Sequence, residues 1–421
     1  MTTDRLDACA LGASLLLSLS ALAPAAPDDW PQFRGPNYND ISAETGLLQD
    51  WPAEGPPLVW KANGLGDAFA GIAVVGGRIY SAGDKGDSSF VVALDAADGR
   101  PVWSVRLGKG GPVGIPGNEY KGPRGTPTIS GGRLYAVSQY GEMVCLATAD
   151  GKELWRKDYV KDFGGAGPTW GFAESALLDG ERVVVTPGGA DGPMVALDKQ
   201  TGALLWRSKG FTDAPHYSTS VIAEIGGARQ YIQLTPKSVV GIAAADGKLL
   251  WRAPRRGEVA VIPSPIYRDG LVYVTSGYGS GCNLFKVTAA DGRFSAEQVY
   301  ANHVMVNHHG GVILIGNYLY GYSEGKGWTC QDFETGEAKW QEKKFPKGSL
   351  VYADGRLYLR QEDNQGTLAL IEASPQGYRE HGRFNQPGRS SLKSWPHPVI
   401  AGAKLYLRDQ DLLLCYDVKA K

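Results

Sequence analysis

The stretch Met194-Val-Ala-Leu-Asp-Lys-Gln-Thr-Gly-Ala-Leu-Leu-Trp206 joins an apolar, β-prone run to a tight turn and then to a second run that ends in tryptophan. Gly202 supplies the positive φ such a turn needs, while Asp198 and Thr201 bring side-chain oxygens able to bond its backbone. The pattern returns at Val91 to Trp103, Met143 to Trp155, Val239 to Trp251 and, more loosely, Thr329 to Trp340. The turn glycines are Gly99, Gly151, Gly202, Gly247, Gly292, Gly336 and Gly377, spaced by 52, 51, 45, 45, 44 and 41 residues. A strand-built repeat of this period is the signature of a β-propeller. Upstream of the copies stands a second element, a strand, a Gly-Gly or Asp-Gly turn and a strand ending in Tyr, as in Ile72 to Tyr80 or Val399 to Tyr406. Each unit therefore holds four short antiparallel strands, A to D.

The C strands begin at Val91, Met143, Met194, Val239, Leu284, Trp328, Thr367 and Leu412, so the expected fold is an all-β, eight-bladed propeller. The eighth unit lacks its own strand D. Pro57-Leu-Val-Trp60-Lys61 matches the strands carrying Trp103 and Trp155, and its pairing with the last unit is expected to close the ring and hide two sheet edges.

Composition agrees. The 421 residues carry 57 Gly, 25 Pro, 11 Trp and 20 Tyr against 4 Met, favouring turns and strands. With 43 Lys and Arg against 44 Asp and Glu there is no electrostatic footprint for nucleic acid. Arg5 precedes an apolar run, Ala8 to Ala23, too short for a stable span, and Ala23-Pro24-Ala25 suits cleavage. The expected organisation is a signal peptide over 1–26, an irregular wrapping segment over 27–56 and the propeller over 57–421, in a secreted or periplasmic monomer without a transmembrane segment.

On these residues the chain resembles the pyrroloquinoline quinone (PQQ)-like propeller family, whose Ala-x-Asp-x-x-Thr-Gly-x-x-x-Trp docking motif is matched in full by Ala196, Asp198, Thr201, Gly202 and Trp206. The resemblance covers 57–418. It implies blade-to-blade docking by Trp60, Trp103, Trp155, Trp206, Trp251 and Trp340. Blades five and seven, with Ala296 and His381 at that position, are expected to have the loosest seams. The family holds both quinoprotein alcohol dehydrogenases and non-catalytic scaffolds such as BamB, so it implies fold more than function.

In a four-stranded meander the B-to-C loops and D-to-A connections emerge at one end of the ring. The long pieces Arg106 to Gly125, Tyr159 to Ala173 and Ser276 to Cys282 all fall there, which makes that face the expected binding face. Counting along the innermost strands gathers Arg124, Trp170, Glu174, His216, Tyr217, Asn307, His308, His309, Lys347, Trp395 and His397 around the channel mouth. His308 and His309, adjacent on extended chain, are expected to point to opposite sides, and neighbouring charges to push the histidines toward protonation. As exposed lining, His309 and His397 should contribute little to stability.

Cys145, Cys330 and Cys415 occupy equivalent places in different blades, beyond disulfide reach, and read as core thiols. No metal motif, adjacent Cys pair or complete catalytic constellation is present. The sequence thus leads to a binding or scaffold protein for a protein or small molecule, with no cofactor or metal expected. The alternative, under the family resemblance, is an oxidoreductase using PQQ and Ca.

Overall fold

The computed structural model describes residues 29–363 and 365–421; the expected signal peptide over 1–26 lies outside them. The described residues form eight four-stranded antiparallel sheets and one two-stranded hairpin. Blade one is Ala73–Val75, Arg78–Lys85, Ser88–Asp95 and Pro101–Lys109. The others follow in sequence order to blade seven, Gly348–Ala353 to Glu380–Phe384. The eighth sheet holds Val399–Ala401, Lys404–Asp409 and Leu412–Asp417, with Leu58–Ala62 antiparallel to the last of these, Leu58 opposite Tyr416 and Ala62 opposite Leu413. No described helix is long and apolar enough to cross a membrane.

The repeated tryptophan does the same work at successive seams. Trp155 of blade two lays its ring against the turn glycine of blade three, where a Cβ on Gly202 would stand 2.8 Å from the indole, and Gly202 also has φ 71°. Its Nε1 donates to Lys199 O at 3.2 Å. Trp60, Trp103, Trp206 and Trp340 make the matching bonds to Ala96, Thr148, Ala244 and Ser374 carbonyls of the next blade. Trp251 departs from this, donating to Gln230 Oε1 within its own blade.

Register corrects the two expected gaps. In blade two Cys145 faces Trp155 just before a bulge, and in blade five the corresponding pair is Leu284 and Tyr300. The hairpin of Gly281–Ala290 and Arg293–Asn302 is longer than its siblings, so Tyr300, not Ala296, takes the docking place. Its hydroxyl donates to Phe333 O at 2.9 Å and its ring covers Gly336. In blade seven the place belongs to Gly382, opposite Leu370, not to His381. There the missing ring is supplied by Trp51, whose N donates to His381 O and whose indole packs on Tyr358 and Phe384.

Trp51 belongs to the segment before the first strand, and that segment does more than wrap the rim. Trp30 bridges Val74, Pro31 O accepts from Ile129 N, Tyr38 Oη accepts from Leu178 N, Arg34 donates to Val312 O, and Asp40 O accepts from Tyr352 N. All five partners lie on strand A of five different blades. Residues 30–42 therefore cross the channel at the end away from the elaborated face and stop it.

Cys145, Cys282, Cys330 and Cys415 are buried and free. Burial pushes the Cys330 thiol up to about 11 and that of Cys415 to about 12, which keeps both protonated and unreactive.

Candidate functional site

Stopping one end of the channel leaves a cup of about 330 Å³ opening on the elaborated face. Arg124, Trp170, Tyr217, His308, His309, Lys347, Trp395 and His397 line it, together with groups that sequence reasoning missed: Glu362, Tyr278, Tyr120, Lys393, and Phe33 and Asp40 from the stopper. Most of the missed ones sit in loops without periodicity, where no pattern betrays which side chain turns inward.

The two long connections build adjacent parts of the rim. Within Arg106 to Gly125 the chain folds into a hairpin, Pro112–Ile115 with Asn118–Lys121. It is tied down by Asp84, whose Oδ2 accepts from Gly111 N and Gly122 N at 2.7 and 3.1 Å. The hairpin delivers Tyr120, which forms an aromatic box with Phe69 and Trp395; the ring centroids of Phe69 and Trp395 are 4.5 Å apart. Within Tyr159 to Ala173 a single helical turn, Tyr159–Phe163, is capped by Asp158 and ended by Gly164 at φ 63°. Beyond it Trp170 donates its indole N–H to Asn118 O, joining the two connections.

On the far wall, polar side chains pair with one another. His309 Nε2 bonds Glu362 Oε2, which also accepts from Trp395 Nε1 at 3.1 Å. Lys347 and Lys393 lie 3.9 and 3.6 Å from the other oxygen of Glu362. Burial opposes ionisation of Glu362, but the bond from His309 and the two ammonium charges outweigh it and hold the carboxyl at about 2. Lys347 donates to His308 Nδ1 at 2.7 Å, fixing the tautomer in which Nε2 carries the hydrogen. On the floor, Asp40 is bound between Arg34, at 2.7 Å, and His397, at 3.1 Å.

His216, His308 and His309 behave opposite to expectation. Burial, the charge of His309 and that of Lys347 press His308 down to about 3, and burial alone lowers His216 to about 4. His309 is pressed down too, because desolvation outweighs the pull of Glu362. His308 and His216 are therefore neutral donors and acceptors at neutral pH, and ligand affinity is not expected to change through the titration of His308 between pH 6 and 8. Nor do the adjacent pair point apart: the bend before Gly310 and Gly311, both at positive φ, turns both rings to the cup, with centroids 5.1 Å apart. His309 is 6% exposed, so its removal also costs packing, contrary to the sequence reading.

Three of the gathered residues do not reach the cup. His216 Nδ1 accepts from Val261 N, and Asn307 Nδ2 donates to Gly311 O and Tyr322 O, so both brace connections. Glu174 misses by one residue. Thr126 N donates to Ser175 Oγ and Ser175 N to Thr219 Oγ1, so the inward column runs Thr126, Ser175, Thr219, and a shift of one turns Glu174 to the other side of the strand. Its Oε1 accepts from Thr186 N at 2.5 Å, and burial raises its pKa to about 7. The folded state therefore holds this proton where the unfolded chain, with a pKa near 4.3, has lost it. Stability from Glu174 is complete at acid pH, declines from about pH 4.3 to 7, and is lost above. Glu174→Gln is expected to flatten that decline in urea titrations; an unchanged pH slope would disprove it.

The acids of the cup do not make a calcium nest, which requires several free carboxylate and carbonyl oxygens around one point. Glu362 is already flanked by two lysines, and Asp40 is spent on Arg34 and His397; among the described residues no group of three or more His, Cys, Asp and Glu side chains is placed to hold a metal ion. A flat anionic ring such as PQQ would find Arg124 and the aromatic box, but not the cation.

Comparison with known proteins places this architecture. A family model described as outer membrane protein assembly factor BamB matches residues 53–121 and 87–342. The outer membrane protein assembly factor BamB of Xanthomonas campestris is 28% identical over 229 residues, 52% of this chain and 48% of that protein. The quinoprotein alcohol dehydrogenase PedH of Pseudomonas putida is 27% identical over 272 residues, 61% of this chain and 37% of its own length. The chain thus spans half or less of the length of these relatives. The solved quinohemoprotein alcohol dehydrogenase of Comamonas testosteroni superposes over 94% of this chain and 82% of its own, with a TM-score of 0.61 at 12% identity, a likeness of fold alone.

Proposed function

Because the chain belongs to the BamB-type family of PQQ-like β-propellers, we propose that it is a binding protein without chemistry of its own, taking its ligand in the cup on the loop-elaborated face. One observation carries this reading: the acids of the cup are engaged by neighbouring cations, while aromatic faces, hydroxyls and Arg124 are turned to the space. Such groups position a ligand; they do not activate one. An exported monomer goes with it, supported by the apolar Ala8 to Ala23 stretch and by relatives named as outer membrane protein assembly factors. Leu58–Ala62 is then the closing strand of a hybrid eighth blade.

The second reading, a quinoprotein oxidoreductase, is favoured by the similarity to PedH over 61% of the chain. Incubation with PQQ and Ca²⁺, followed by a visible spectrum and dye reduction with alcohols, separates the two. No turnover is expected; a stoichiometric quinone band with turnover would reverse the assignment. A thermal-shift screen of small molecules tests the cup itself, since a true ligand must stabilise the native protein and not Trp395→Ala.

A further inference from the structure

Most cations of the cup are matched by an acid. Arg34 meets Asp40, Lys347 lies near Glu324 and Glu362, and Lys393 stands 2.6 Å from Asp363. Arg124 has no ion pair among the described residues. Its two terminal nitrogens donate to the backbone carbonyls of Gly122 and Tyr120, both at 3.1 Å, and its Nε makes no bond to any described residue. Burial lowers its pKa only to about 10, so it is charged at neutral pH. A partly desolvated guanidinium held by neutral carbonyls, with a donor free, is a carboxylate or phosphate receptor in waiting.

Beside it runs the column of hydroxyls from three successive blades. Ser175 Oγ and Thr219 Oγ1 each accept one backbone N–H and donate to no described residue, while Thr126 Oγ1 has no partner among the described residues. All three line the cavity, although the residues are only 3 to 4% exposed. Hydroxyls so placed give and accept bonds alternately, which suits a ligand that is itself a row of hydroxyls. The box of Phe69, Tyr120 and Trp395 lines the same space and offers ring faces to C–H groups, and His308 Nε2–H adds one neutral donor. The volume lies at the lower end of small-molecule sites, about 300–1,000 Å³.

Resting on the reading of the cup as a ligand site, we propose that its ligand is a sugar acid, a polyhydroxylated ring bearing a carboxylate. The carboxylate meets Arg124, the hydroxyls meet Thr126, Ser175 and Thr219, and the apolar face of the ring lies on the aromatic box. A neutral sugar leaves the charge of Arg124 unanswered. An aromatic acid leaves the hydroxyl column unanswered, and polar groups left without partners in a closed site are what separates close analogues most strongly.

The test uses the intact protein with three probes, D-glucuronate, D-glucose and benzoate, by calorimetry and thermal shift. Glucuronate is expected to bind at least tenfold more tightly than either of the others. Arg124→Gln should bring glucuronate down to the level of glucose. Thr126→Val, which removes a hydroxyl the fold does not use, should weaken glucuronate about tenfold while leaving benzoate and the melting temperature unchanged. Equal binding of glucose or of benzoate overturns the proposal, as does an unaltered glucuronate affinity in Thr126→Val. If all three probes fail while another molecule stabilises the native protein and not Trp395→Ala, the sugar-acid assignment is wrong and the cup remains a ligand site. If nothing stabilises it, both fall.

Discussion

Replacing Arg408 with methionine is expected to cost about 3 kcal/mol or more of folding stability, read as a fall in the urea midpoint and melting temperature. Arg408 is buried between blade eight and blade one, 2% exposed. Its NH1 donates to Ala70 O at 3.1 Å, to Ala82 O at 2.8 Å and to Ser81 Oγ, its NH2 to Gly66 O at 3.0 Å, and its Nε to Gln410 O at 3.0 Å. Burial lowers its pKa to about 9, which still leaves it charged at neutral pH. Removing a desolvated charge would by itself be favourable, and apolar replacements of buried ion pairs do sometimes stabilise. Here the partners are backbone carbonyls that no substitution removes, and each buried carbonyl left bare costs about 1–3 kcal/mol. Several orphans outweigh one relieved charge. A loss below about 1 kcal/mol would mean that water replaces the guanidinium and that this seam does not depend on it.

Trp51→Ala is expected to cost about 3–5 kcal/mol, as truncation of a buried tryptophan usually does, and so to rank with loss of a docking residue such as Trp155. Trp51 is 7% exposed and Trp155 8%. Its ring centroid lies 5.2 Å from that of Phe384, which in turn lies 5.2 Å from that of Tyr416 in blade eight. Gly382 makes room for it: at φ 144° a Cβ there would stand 2.5 Å from Trp51 Cβ and 3.0 Å from its backbone. Gly382→Ala must therefore displace the strap or the strand. Because both substitutions disturb one contact, the double variant should lose less than the sum of the singles. Full additivity, or a Trp51→Ala cost like that of the rim residue Trp170, would show that the strap does not serve as the docking ring of blade seven.

The blade count, the turn glycines and five of the docking tryptophans were legible because a repeat states its own register, and each copy corrects the reading of its neighbours. Where one copy departs from its siblings the reading slipped. The long hairpin of blade five moved the docking position from Ala296 to Tyr300; in blade three the one turn glycine, Gly180, stands at the place of Gly131 and Glu181 at that of Gly132, which moves the inward column from Glu174 to Ser175. With a side-chain period of two, an error of one residue is enough to exchange a cup residue for a core residue. Arg124, Lys347, His309 and His397 were found because they fall on the repeat. Glu362, Lys393 and Tyr120 were not, since their direction is set by contacts between loops. The histidine charge was misjudged because the sequence names neighbouring charges without their burial, and here desolvation is the larger influence.

The stopper and strap also bear on the order of assembly. Residues 30–51 touch strands from blades one, two, three, six, seven and eight, and Leu58 finds its partner at Tyr416, across nearly the whole chain. Contacts of such separation form only after the intervening chain has been gathered. The earliest residues of the described chain are thus expected to be among the last to settle, with the floor of the cup formed when the ring is complete. A partly folded chain would be an open tube without Asp40 beneath His397. Ligand retention in the cup would therefore report on the finished ring, and an unfinished one would hold nothing for long.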